Sequence, residues 1–97
     1  MVKRVYFLAH GGEVQGVGFR FFTRKRALHY NITGWVRNTP NNKVEGEAQG
    51  EETSLAEFLK DVNSGPRGAH VVRLDREERE VVEGEGEGEF EIRKWGA

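Results

Sequence analysis

No cysteine occurs among the 97 residues, which removes disulfide frameworks, thiolate metal sites and cysteine nucleophiles together. No apolar run approaches a membrane span or a signal-peptide core, so a soluble, cytoplasmic protein with no membrane partner is expected. The two prolines, Pro40 and Pro66, both fall in segments with turn chemistry. A large net charge is also missing. The total is −1, which argues against extended nucleic-acid binding, a function that wants a net basic domain. That near-neutral total hides a division. Residues 1–43 carry eight Lys and Arg against Glu13 alone, and residues 44–97 carry seven basic and fifteen acidic groups. A small anionic ligand in the basic part and a solvated surface with no partner explain this split equally well. Residues 1–97 suffice for one domain with one core.

The most informative segment is Gly12-Glu13-Val14-Gln15-Gly16-Val17-Gly18-Phe19-Arg20. Glycines reach positive φ at little steric cost and let successive N–H groups turn inward around an anion. The first turn of a helix adds unpaired N–H groups and the positive end of the macrodipole. An arginine is electrostatically misplaced there, and a bound phosphate would resolve the conflict. Spacing alone leaves an ordinary strand-to-helix turn equally open. No Gly-Lys-Ser/Thr follows, so this is not the phosphate loop of nucleotide hydrolases, and the glycine spacing does not match the dinucleotide fingerprint.

Val5–Ala9 is an apolar strand by composition. A helix is expected from Phe19 to Tyr30, with Phe19, Thr23, Ala27 and Tyr30 on one face and Arg24, Lys25 and Arg26 facing outward. Asn31 suits a left-handed helix end. Ile32–Asn38 and Lys43–Gly50 alternate as strands around the turn Thr39-Pro40-Asn41-Asn42, with Val44, Gly46 and Ala48 inward. A second helix is expected from Ser54, capped by Ser54 and Glu57, with the stripe Leu55, Phe58, Leu59 and Val62. Ala69–Arg76 and Phe90–Trp95 read as further strands. The Glu-Gly alternation of residues 83–89 reads as a solvated connection. The order is β-α-β-β-α-β plus one strand. This predicts an α+β, ferredoxin-like sandwich with two helices on one face of a mostly antiparallel, four- to five-stranded sheet.

In a split βαβ unit the first two strands run parallel with the third between them. Arg20, after strand one, and Asn38, at the end of strand two, are therefore expected at the same sheet edge. Ligands of open sheets commonly sit beyond the carboxyl ends of parallel strands. Asn38 alone would read as a turn residue, and its place opposite the glycine loop reverses that preference.

Val14-Gln15-Gly16-Val17-x-Phe19-Arg20, followed by Thr23 and Ala27, Gly34-Trp35-Val36-Arg37-Asn38, Val44-Glu45-Gly46, Gly65-Pro66 and Phe90-Glu91-Ile92, resembles the acylphosphatase family over nearly the whole chain. The resemblance implies hydrolysis of acyl phosphates to a carboxylate and inorganic phosphate, without metal or cofactor. It implies that Arg20 binds phosphate, that Asn38 positions the attacking water, and that Gln15, Gly16, Val17, Gly18 and Phe19 form the phosphate loop. The expected partner is a small acyl phosphate, with inorganic phosphate as product and competitor, and the protein is expected to be a monomer. Asn31 and Asn41-Asn42 depart from the family's usual glycine and Asp-Gly, and both substitutes tolerate positive φ. Glu13 is a further departure, an acidic group beside the loop.

A carboxylate leaving group, with a conjugate-acid pKa of about 4.3 by analogy with glutamate, needs little protonation. A site without a His–carboxylate pair can therefore serve. His10, His29 and His70 are not spaced as ligands on one element, Trp35 and Trp95 read as packing, and Glu77, Glu78 and Glu80 read as a solvated face. Two alternatives stand. An RNA-binding module shares the element order but needs exposed aromatics on its central strands, where this chain offers Glu45, Glu47 and Gln49. A domain of a larger carbamoyl-phosphate-processing protein would be expected to carry zinc-finger cysteines, which favours a free-standing enzyme.

Overall fold

The computed structural model describes residues 1–15, 18–83 and 89–94, with Gly12 and Glu13 described by backbone only. Gly16, Val17, the Glu-Gly stretch 84–88 and Trp95 thus lie outside the described residues. The elements are β1 (Val2–Glu13), α1 (Phe19–His29), β2 (Thr33–Asn38), β3 (Val44–Glu51), α2 (Glu52–Ser64), β4 (His70–Arg79) and β5 (Phe90–Arg93). They form one sheet in the order β4-β1-β3-β2-β5. β3 lies antiparallel between β1 and β2, β4 is antiparallel to β1, and β5 is parallel to β2. β1 and β2 are therefore parallel and end at the same edge, as the split βαβ plan requires.

Both helices cover one face, α1 over β2 and β5, α2 over β1, β3 and β4. The stripes Phe19, Thr23, Ala27 and Leu55, Phe58, Leu59, Val62 are buried as their helical spacing predicts. Phe58 is fully buried between Phe7 and Phe90, with ring centroids 6.0 and 5.9 Å away. Its edge-on contact with Phe7 is a favourable ring geometry. Asn31 takes φ 58° just past α1 and Asn42 takes φ 64° in the β2–β3 turn, so asparagine does the work glycine commonly does.

The other sheet face carries paired charge. Arg4 is buried against Glu47 at 2.6 Å, Arg37 pairs with Glu45 at 2.7 Å, and Tyr6 donates to Glu45 at 2.7 Å. Burial and that hydrogen bond push the Tyr6 phenol up to about 12. Trp35 is packed between the guanidinium groups of Arg37 and Arg93, 5.1 and 5.0 Å from its ring. Arg26 departs from its expected outward position, lying between the helices on Asp61 and Tyr30.

Three boundaries differ from expectation. β1 runs well beyond its apolar core because a strand paired on both sides can carry Arg4 and His10 toward the charged face and Lys3 toward Glu52 at the start of α2. β4 likewise extends to Arg79, keeping Glu77 and Glu78 exposed. α2 begins at Glu52, and Ser54 does not cap it. The β1–β3 ladder reaches Val2↔Glu51, so the Met1 carbonyl accepts from Glu52 N at 3.0 Å. The Met1 carbonyl, brought there by strand pairing, does the capping that a local motif predicted for Ser54.

Phe58→Ala is expected to cost about 3–5 kcal/mol of unfolding free energy, as large buried aromatics do. The change should appear as a lower urea midpoint with an unchanged slope. A loss below about 1 kcal/mol would show that this ring is not central to the core.

Candidate functional site

β1 approaches the site through an irregular stretch. Its pairing with β4 shifts at His10/Gly11 and again at Gly11/Glu13. A Cβ on Gly11 would come within 1.9 Å of the His70 carbonyl oxygen, so only glycine permits this close approach. Val14 then buries completely and anchors the loop. Gly18 takes φ 74°, ψ 21° at the start of α1, a left-handed conformation that a side chain would strain.

The first helical hydrogen bond runs from Phe22 N to the Gly18 carbonyl at 2.9 Å. The N–H groups of Phe19, Arg20 and Phe21 accordingly have no helical acceptor. No side chain caps this end and no acidic residue lies in the first turn. These amides, the helix dipole and Arg20 all favour an anion at one point. Among the described residues Arg20 has no hydrogen-bond or ion-pair partner of its own, unlike Arg26 and Arg37.

Val14, Gly18, Phe19, Arg20, Phe21 and Asn38 line a cavity of about 200 Å³ at this point. The expected meeting of Arg20 and Asn38 is therefore present in the structure. Water occupies about 30 Å³ a molecule in the liquid, so the space holds a phosphoryl group with an adjacent water. The Asn38 Oδ1 is buried and has no hydrogen-bond partner among the described residues. An unpaired buried acceptor costs about 1–3 kcal/mol, and a polar ligand or water in the cavity would remove that cost.

Gln15 has a different position from the one its place in the loop suggests. It does not line the cavity. Its Nε2 donates to the carbonyl oxygens of Thr39 at 2.9 Å and Lys43 at 2.8 Å, committing both amide hydrogens. The turn it grips is also closed by Thr39 N to Lys43 O at 2.9 Å and Lys43 N to Thr39 Oγ1 at 2.9 Å. Gln15 thus ties the loop after β1 to the turn that follows Asn38. No local pattern announces this contact, because its two partners are backbone atoms 24 and 28 residues away.

The remaining sequence candidates lie elsewhere. His10 pairs with Asp75 at 2.8 Å, His29 stacks edge-on with Tyr30, and His70 is exposed. The hydrogen bond with His10 holds the Asp75 carboxyl below its ordinary pKa. No group of three His, Asp or Glu side chains suited to a metal occurs among the described residues. The Glu13 side chain, Gly16 and Val17 lie outside the described residues. A larger groove, about 490 Å³, opens on the charged sheet face beside Tyr6, Arg37 and Glu45. Those three already satisfy one another, whereas the smaller cavity is lined by Asn38, whose buried Oδ1 is unpaired among the described residues. Among the described residues no helix is long and apolar enough to cross a membrane.

Comparison with known proteins gives a consistent result. A family model described as Acylphosphatase matches residues 5–92. A protein of that name from Geobacillus thermodenitrificans (strain NG80-2) is 44% identical over 80 residues, spanning 82% of this chain and 84% of its own. The structure of an acylphosphatase from Coxiella burnetii superposes with a TM-score of 0.85 at 35% identity, covering 95% of this chain and 93% of that one. The crystal structure of acylphosphatase from Bacillus subtilis gives 0.83 at 32% identity, covering 96% and 99%.

Gln15→Ala removes both donors from the Thr39 and Lys43 carbonyls. At about 1 kcal/mol per net hydrogen bond, the turn should open roughly 5- to 30-fold more often. Hydrogen exchange at the Thr39 and Lys43 amides should accelerate by that factor, with the central β1–β3 amides unaffected. Unaltered exchange at Thr39 and Lys43 would show that the turn holds itself.

Proposed function

The chain belongs to the acylphosphatase family, whose members hydrolyse acyl phosphates, and on that premise we propose that Arg20 and Asn38 carry the reaction without metal or cofactor. The observation that carries the reading is that Asn38, whose Oδ1 is buried and unpaired among the described residues, lines the same cavity as Arg20 and the start of α1. An acceptor in that position is suited to hold a water, and the opposite wall is suited to hold an anion.

In this reading the planar fork of Arg20 grips two phosphoryl oxygens. The amides of Gly18, Phe19 and Arg20, with those of Gly16 and Val17, meet the charge that spreads over the phosphoryl group in flight. Asn38 accepts a hydrogen bond from the attacking water and holds it in line with the scissile bond. The water oxygen bonds to phosphorus as the phosphorus–acyl oxygen bond breaks, and the acyl oxygen leaves as carboxylate. A neutral amide is too weak a base for the water's proton, so a phosphoryl oxygen of the substrate takes it. The weakly basic leaving group needs no general acid. Charge stabilisation thus rests on the protein's own cation and amides, and phosphate release is expected to be the same with a chelator present.

The product is inorganic phosphate, which fits the same anion site and should compete with substrate. The site as proposed needs no residue from a second copy, so a monomer would suffice for the reaction.

Arg20→Lys keeps the charge and loses the fork. It is expected to lower kcat/KM about 10²-fold or more, the scale of one lost transition-state donor, and to weaken competitive inhibition by phosphate. Near-native turnover and phosphate affinity in this variant would overturn the role of Arg20.

Asn38→Ala separates the two roles. If it positions water, turnover falls about 10²–10³-fold while phosphate still binds. Phosphate titration followed through the Gly18 and Phe19 amide shifts, with the thermal midpoint of the same sample, checks this. Normal turnover with a lowered midpoint would return Asn38 to a turn residue.

A further inference from the structure

Phe21 is the more exposed of two large apolar side chains of α1, with Leu28, that the fold leaves at the surface. It is 67% exposed, whereas its neighbour Phe22 packs edge-on against Phe19, with centroids 6.4 Å apart. Arg24 and Lys25, both exposed, follow three and four residues later and share its side of the helix. An exposed apolar residue alone is ordinary. Val72, equally exposed, illustrates this and lines neither cavity. Phe21 differs because it lines the cavity that holds Arg20 and Asn38.

We propose that Phe21 is a specificity-determining residue for the acyl half of the substrate, its ring receiving an apolar and preferentially aromatic acyl group. The inference rests on the acyl phosphate hydrolase reading above and names the substrate class that this site favours. In-line displacement sets the leaving oxygen opposite the attacking water. The acceptor for that water, the Asn38 Oδ1, is buried, so the acyl group is directed away from it, toward the mouth of the cavity. Val14 and Phe19 are buried walls, and Phe21 is the exposed apolar side chain of the lining. Phosphoryl group and water take up only part of the space of about 200 Å³, and beyond them the acyl group extends along the lining toward Phe21. There a phenyl ring gives a flat, rigid surface with few rotors to order. The cations beside it draw the phosphate end in without competing for an apolar group.

The ring is remote from the bond being broken. Its contacts are the same in ground and transition states, so they lower KM and leave kcat alone. That split distinguishes a binding ring from a residue that merely shapes the loop.

The experiment compares benzoyl phosphate with acetyl phosphate on wild type, Phe21→Ala and Phe21→Trp, recording kcat, KM, the inhibition constant of inorganic phosphate and the thermal midpoint. Phe21→Ala is expected to raise KM for benzoyl phosphate about 5- to 10-fold, the worth of one aromatic contact, with kcat retained. The benzoyl-over-acetyl ratio of kcat/KM falls by the same factor, and Phe21→Trp restores it. Equal losses on both substrates, or an unchanged ratio in Phe21→Ala, overturn the role of the ring while the hydrolase reading stands. A wild-type protein that cleaves neither compound overturns that reading, and this inference with it.

Discussion

β3 is held on both sides, antiparallel to β1 from Val2↔Glu51 to Ala9↔Val44 and to β2 from Thr33↔Gln49 to Asn38↔Val44. This double pairing is the constraint on which the molecule depends. It forces β1 and β2 to run in parallel, and so brings the loop before Arg20 and the end of β2 at Asn38 to one edge. Register matters as much as direction. Val44, Gly46 and Ala48 face the helices while Glu45 and Glu47 face the charged layer. A slip of one residue would turn those carboxylates into the core. The hydrophobic alternation of β3 therefore also sets where Asn38 stands.

The core supplies the stability that the site gives up. Around the cavity sit an arginine at the wrong end of a helix dipole, amides without acceptors and a buried oxygen without a donor. Each costs on the order of 0.3–3 kcal/mol. Elsewhere the chain leaves few such debts. Arg4, Arg26 and Arg37 all meet carboxylates, and Gln49 closes two hydrogen bonds with the backbone of Val82. The contrast between paired charge on the sheet face and unpaired polar groups in one cavity separates scaffold from site. In the proposed function a phosphorylated ligand and its attacking water would satisfy these unpaired groups together, which would tie the local cost to the activity.

Rigidity reaches the site by a short route. Gln15 joins the chain just after β1 to the turn after β2 through two carbonyls, so the turn that follows Asn38 is braced by a residue that follows the other strand of the parallel pair. The proposed catalysis by position would benefit from such bracing, because small displacements of a water or phosphoryl group carry large rate penalties. The bulge at Gly11 turns β1 toward the loop, and Val14 pins it in the core.

What the sequence alone determined were features written in short-range pattern. Helical stripes placed Phe19, Thr23 and Ala27 in the core, alternation placed Val44 and Ala48 there, and Asn31 marked the end of α1. The loop's glycines and the order of elements placed Arg20 and Asn38 at one edge on topological grounds, and the motif resemblance suggested the roles proposed for them. Tertiary structure decided the rest, because the partners are far apart in the chain. Ser54 lost the cap to the Met1 carbonyl once the β1–β3 ladder reached Glu51. β1 and β4 outran their apolar stretches because pairing, not composition, stabilises their polar ends. Gln15 became a brace, and Phe21 became the rim of a cavity, through contacts no local window contains. Side-chain periodicity reports which face of an element is buried; only the packed molecule reports which atoms are left unpaired, and in this protein those atoms mark the candidate site.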